Sequence, residues 1–187
     1  MKATNRILRY LKGTHDVGLW YPKGSNFELI GYSDSDYGGC TIDRMSTSGT
    51  CQLLGRSLVS WSSKKQNSVA LSTVKAEYIS AGSCCAQLLW MKTTTLNDFG
   101  IKFKNVPLLC DNGSAIKMTQ NLVQHSRTKH IDIRHHFIRD HQQKGDISIE
   151  SIGTKDQLAD IFTKPLDEKR FCKLTNELNI LDFSNLR

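Results

Sequence analysis

Near residue 71 the apolar pattern of this chain changes its period, and that change constrains the fold more than any other feature. Upstream, "FELIGYSDSDYGG", "GTCQLLG" and "SLVSWSS" are short β-like runs, the last two broken at Gly55-Arg56 as in a hairpin. Downstream, Leu71, Val74, Tyr78, Ala81, Cys85, Leu88 and Leu89 mark one helical stripe, which predicts a long helix ending near Gly100. "VPLLCD" then reads as a short buried strand and "GSAIKMTQ" as a helix. "IDIRHHFIRDHQQKG" reads as a helix stopped by Gly145, and "ISIESI" alternates as a strand does. Thr154 with Gln157 predicts a capping box opening a helix over "KDQLADIFT", which Pro165 closes. A final amphipathic helix carries Phe171, Leu174 and Leu178. Three antiparallel strands followed by alternating helix and strand imply an α/β fold. Its core is a mixed five-stranded sheet with helices on both faces.

The remaining features bound the partners. Ile7, Leu8 and Leu11 predict a helix over residues 1–12, stopped at Gly13, which reads as the tail of something upstream. That segment is amphipathic rather than signal-like, and no apolar run is long enough for a transmembrane helix. The six cysteines contain no CxxC pair, so they read as free thiols in a reducing compartment. A formal net charge of +7 suits a polyanionic partner, and equally a basic solvated surface. Five of the six histidines fall in "HSRTKHIDIRHHFIRDH", at a spacing that does not align them as zinc ligands on one helix face.

Four acidic positions stand at the ends of elements that converge on such a sheet. Asp34 or Asp36 ends the first strand, and side chains two apart on a strand share a face. Glu77 lies early in the long helix, Asp111 ends the strand "VPLLC", and Asp160 follows the last strand. Each has an ordinary reading. The aspartate pair suits a Gly-rich turn, Glu77 the helix dipole, Asp111 a turn, and Asp160 a solvated position. Gathered at a carboxyl edge they would instead need divalent cations to offset their repulsion, and hard oxygen ligands suit Mg²⁺ or Mn²⁺. Two metals about 4 Å apart assist phosphodiester hydrolysis. Lys64, Lys65 and Gln66, beside Trp61, read either as a nucleic-acid contact or as an exposed polar loop with a core tryptophan.

The blocks "GYSDSDYGG…RMSTSG", "SWSSKKQNSVALSTVKAEY", "LLCDNGSAI", "HSRTKHIDIRHHFIRDH" and "DQLADIFTKPL" resemble, in order, the RNase H region of copia-type LTR retrotransposon polyproteins, plant members in particular. The opening "RILRYLKGTHDVGLWY" is similar to the segment joining reverse transcriptase to that region. The resemblance divides the chain into a reverse transcriptase connection (1–26), an RNase H-like domain (27–165) and a C-terminal helical tail (166–187). It implies the RNase H-like fold and hydrolysis of the RNA strand of RNA–DNA hybrids with two Mg²⁺ ions, Mn²⁺ substituting. Matched motif by motif, Asp34, Glu77, Asp111 and Asp160 become the metal-holding catalytic carboxylates, and Asp36 a supporting or turn residue. Lys64, Lys65, Gln66, Asn112, Arg127 and Lys129 become the substrate contacts. The implied partners are the hybrid and the reverse transcriptase of the same polyprotein, with no membrane; the implied location is intracellular, in a cytoplasmic particle or the nucleus. "IGTKDQLAD" lacks the histidine many such enzymes carry there, and Cys40, Met45 and Leu122 also depart from the family pattern. An alternative reading is therefore a weak or inactive hybrid-binding remnant.

Overall fold

The structure, a computed structural model, describes residues 2–24, 26–120 and 137–184. After helix α1 (Lys2–Gly13) and strand β1 (Val17–Leu19) comes a meander of β2 (Leu29–Ser35), β3 (Thr47–Leu54) and β4 (Ser57–Lys65). Helix α2 (Thr73–Trp90) follows, then a π-helical turn (Met91–Thr95) and the short α3 (Leu96–Asp98). Strand β5 (Val106–Cys110), helix α4 (Gly113–Gln120), helix α5 (described over 137–143) and strand β6 (Ile147–Ser151) complete the α/β half. Two 3₁₀ turns (Thr154–Asp156 and Leu158–Phe162), helix α6 (Glu168–Glu177) and strand β7 (Ile180–Asp182) end the described chain.

The main sheet has the order β4-β3-β2-β5-β6, antiparallel among the first three strands and parallel from β2 through β5 to β6. This is the expected mixed five-stranded sheet. Its strands alternate faces, as the pleat requires. Leu29, Leu108, Cys110, Ile147 and Ile149 face α2, where Tyr78, Cys84, Cys85 and Leu88 cover them, joined by Ile138 of α5. Cys51, Leu53 and Leu58 face the other way, against Leu158 and against Leu174 and Leu178 at the end of the chain. Helical elements therefore lie on both faces. Full burial of a side chain such as Leu88 or Leu174 contributes about 2 kcal/mol. A Cβ at Gly31 would meet Leu88 Cδ1 at 2.6 Å and Cys84 Sγ at 2.9 Å, so glycine there lets α2 lie flush on β2.

Several expectations need correction. Leu71 is 80% exposed and precedes the helix, whose N-cap is Ser72, its hydroxyl accepting from the Lys75 amide. The helical run does end near Gly100, as expected, but residues Met91–Thr95 within it form a π turn between α2 and α3. No helix spans "KDQLADIFT", and the capping box does not form: Gln157 is drawn inward, where its Nε2 donates to the Ser33 carbonyl at 3.0 Å and its Oε1 accepts from Ala159 N. The segment 62–65 continues β4 rather than forming a loop, and Trp61 is half exposed rather than in the core. The two-stranded β1-β7 sheet, pairing Val17 with Asp182, has strands too short to leave a periodic signal. No helix among the described residues is long and apolar enough to cross a membrane.

Candidate active site

Asp34 is the sixth residue of β2, and the register sets it opposite Gly49 of β3 while Ser33 pairs with Cys110 of β5. The carboxyl ends of parallel neighbours β2 and β5 therefore deliver Asp34 and Asp111 to the same edge. Helix α2 adds Glu77 from above. Its placement is fixed by Ser80, whose hydroxyl donates to the Asp34 carbonyl at 2.7 Å and the Gly49 carbonyl at 3.2 Å. Gln66 ties the same corner together, its buried amide donating to Ser35 Oγ, Ser48 Oγ and the Ala76 carbonyl.

Asp34, Glu77 and Asp111 line one open cavity of about 530 Å³, with Thr73, Asn112, Lys117 and Lys164 at its margin. Asn112 Oδ1 accepts from the Ser114 and Ala115 amides and so caps α4 beside the carboxylates. Glu77 is 6% exposed; one oxygen accepts from the Ser35 amide at 3.3 Å, and among the described residues Oε2 is buried with no hydrogen-bond partner. Burial, and then the charges of Asp34 and Asp111, push the Glu77 carboxyl up to about 9. Burial also pushes Asp34 up to about 6, against the pull of the Thr163 hydroxyl and the Lys164 ammonium. A corner of this kind resists carrying its full negative charge without a cation.

Asp160 arrives differently. It sits in the 3₁₀ turn that rests on β3, and a Cβ on Gly49 would meet Thr163 Cγ2 at 2.5 Å and the Ala159 carbonyl at 2.8 Å. The missing side chain at Gly49 is what admits this turn beside Asp34. Asp160 is buried, yet it is ion-paired with Lys164 at 2.7 Å and with Arg170 of α6. Lys164 reaches Asp34 as well, at 3.5 Å. Burial works against the Lys164 charge, but the bond to Asp160 and the field of Asp34 outweigh it and raise its pKa. Lys164 and Arg170 escaped the sequence reading. The first has a signal, standing four residues after Asp160; the second, ten residues away, has none.

The sequence-predicted residues thus fall into distinct groups. Asp34, Glu77, Asp111 and Asn112 share the cavity, and Asp160 touches it through Lys164. Asp36 lies outside it: its carboxylate accepts from the Thr47 amide and closes the β2–β3 connection. Lys64 and Lys65 stand on the edge strand, beside a second cavity of about 470 Å³ that Lys75 also lines. Lys65 is paired with Asp43. Arg127 and Lys129, with His125, His130, His135 and His136, lie outside the described residues. His141 is bonded to Asp146, which Lys92 also pairs.

No family model matches the chain. It is 41% identical over 180 residues to the retrovirus-related Pol polyprotein from transposon RE2 of Arabidopsis thaliana, a match covering 96% of this chain and 12% of that protein. It is 38% identical over 174 residues to the Pol polyprotein from transposon TNT 1-94 of Nicotiana tabacum, covering 92% of this chain and 13% of the relative. The chain therefore spans only about an eighth of these proteins' length. Among solved structures it is similar to LC11-RNase H1 isolated from compost, with a TM-score of 0.54 at 15% identity, over 73% of this chain and 93% of that one. The same RNase H1 has been solved in complex with an RNA/DNA hybrid. At that identity the structural likeness establishes the fold, which is that of RNase H.

Proposed function

We propose, for a chain that belongs to the RNase H region of retrovirus-related Pol polyproteins from plant transposons, that it hydrolyses the RNA strand of RNA–DNA hybrids endonucleolytically during reverse transcription of a copia-type element. The observation that carries this reading is the buried, unpartnered Oε2 of Glu77 beside Asp34 and Asp111, in a cavity open at the carboxyl edge of parallel strands. Such an oxygen fits a divalent cation, and an all-carboxylate donor set fits Mg²⁺, with Mn²⁺ substituting. Asp34, Glu77 and Asp111 would hold the ions, with Asp160 contributing from the adjoining turn. Bound there, two such ions lower the pKa of a water and stabilise the departing oxygen of a phosphodiester.

The protein's own groups do the rest. Thr163 orients the Asp34 carboxylate by bonding its Oδ2, and Lys164 holds a positive charge 3.5 Å from the same oxygen. Asn112 fixes the start of α4 and stands where a strand backbone would pass. Lys64 extends from β4, two strands across from Asp34, roughly 10 Å at the usual strand spacing. With Lys65, Arg127 and Lys129 it would hold hybrid phosphates, giving weak sequence preference and steep salt dependence. Gln66 would act from beneath, by holding the floor of the site. The 1–26, 27–165 and 166–187 division, a reverse transcriptase partner and an intracellular location belong to the same proposal.

A second reading, a hybrid-binding remnant of low activity, is favoured by one feature. Asp160 already has two protein cations, Lys164 and Arg170, competing for it. An end-labelled hybrid with Mg²⁺ and then Mn²⁺ separates the readings, comparing the chain with Asp111→Asn. The nuclease requires RNA-strand cleavage that falls by about a thousandfold in the variant, the several kcal/mol a metal site supplies. A folded protein that binds hybrid salt-sensitively and cuts nothing is the remnant.

A further inference from the structure

Cys110 is the last residue of β5, 1% exposed, and it faces α2 rather than the opposite side of the sheet. Its Sγ and one carboxylate oxygen each from Glu77 and Asp111 lie within 4.8 Å of one another. Among the described residues the thiol makes one hydrogen bond, a long one of 4.0 Å to the Asn112 carbonyl. Glu77 supplies an independent sign of a ligand, an unpartnered oxygen on a side chain more than nine-tenths buried and lining the cavity. One sulfur and two oxygens are not a Mg²⁺ set, because that ion takes oxygen donors and leaves thiols idle. They are a set for borderline and soft cations, which bind thiolate strongly. Tetrahedral zinc-like coordination places ligand atoms roughly 3.5 Å apart, so atoms within 4.8 Å of one another need to close by roughly 1.3 Å at most.

We propose that Cys110, Glu77 and Asp111 form a second, thiophilic metal mode of this corner, which takes Zn²⁺, Cd²⁺ or Co²⁺ in competition with the Mg²⁺ of the oxygen-only mode. On binding, the Cys110 S–H bond and the O–H bond of protonated Glu77 are exchanged for bonds to the metal, and both protons leave to solvent. This goes beyond the nuclease reading and does not depend on it, since metal capture is read without cleavage.

The probe is Co²⁺, whose bond to a thiolate gives a charge-transfer absorption that oxygen ligation lacks. The background protein carries Cys40→Ser and Cys172→Ser, which remove the two cysteines that are not buried. Titration with Co²⁺ should raise the band to saturation near one equivalent, and millimolar Mg²⁺ should lower it. Cys110→Ser, folded by circular dichroism, should bind without the band. Glu77→Gln keeps the thiol and should weaken binding on the order of tenfold or more, which tests the site even if the cysteine variant misfolds. Binding without the band in the background protein, a band that survives Cys110→Ser, or a band indifferent to both Mg²⁺ and Glu77→Gln would each overturn the proposal.

Discussion

Glu77 and Asp160 are both carboxylates buried at the same edge of one sheet, and the protein treats them in opposite ways. Glu77 has a single backbone amide, one bare oxygen and two acidic neighbours, and its proton is held to about pH 9. Asp160 has an ammonium and a guanidinium. A buried charge must be matched, discharged or left waiting for a partner from outside. Asp160 is matched within the fold, and its pair with Arg170 also ties α6 to the 3₁₀ turn. Glu77 is left unmatched, and it lines the open cavity. The difference separates what holds the site from what the site is for.

Removing each carboxylate should therefore have opposite effects on the metal-free protein, and these are the largest effects expected. Asp160→Asn leaves Lys164 and Arg170 facing a neutral amide at a buried position and should cost about 3 kcal/mol. Glu77→Gln removes a group that the fold forces to stay neutral and should stabilise the protein, shown by a higher urea midpoint in EDTA. Equal losses in the two variants would erase the distinction.

The pH dependence follows from the same contrast. Because the folded protein raises Glu77 from 4.5 to about 9, protonation favours the native state. Its contribution is complete below about pH 4.5, and it is lost as pH rises toward 9. Asp34, raised to about 6, adds a smaller loss ending near that pH. In EDTA the melting temperature should fall between pH 5 and pH 9. Mg²⁺ should flatten the fall by binding the ionised forms, and Glu77→Gln should remove most of it. A melting curve indifferent to pH and metal would mean the corner carries its charge unaided.

How much of this was legible in the residues depends on the kind of signal. The order of strands and helices came through because β2 to β4 and α2 obey simple periods, and because a parallel β2–β5 pair must put Asp34 and Asp111 at one edge. The segment around Asp160 did not, since Thr154 and Gln157 have the local chemistry of a cap while Gln157 is claimed by the Ser33 carbonyl on a distant strand. Tertiary hydrogen bonds outweighed a local preference of about 1 kcal/mol. Asp36 is equivalent to Asp34 by spacing, and the fold separates them: Asp36 accepts from the Thr47 amide, while Asp34 lines the cavity beside Thr163 and Lys164. The Lys164–Asp160–Arg170 cluster depends on a turn fitting over Gly49, which no linear pattern encodes.

Lys164 offers the finest test of the comparison, because it touches both kinds of carboxylate. It lines the cavity, pairs with Asp160 at 2.7 Å and approaches Asp34 at 3.5 Å. It is a cation already present where divalent ions would bind, and at 40% side-chain exposure its field is partly screened. Lys164→Met should strengthen Mg²⁺ binding about fivefold, equivalent to roughly 1 kcal/mol, read by calorimetric titration. The gain should shrink as salt rises, since the repulsion it relieves is electrostatic. Stability should fall only modestly, because Arg170 keeps Asp160 paired. If Mg²⁺ affinity instead dropped, Lys164 would be positioning Asp34 for the ion rather than competing with it. The matched and waiting halves of the site would then work as one unit.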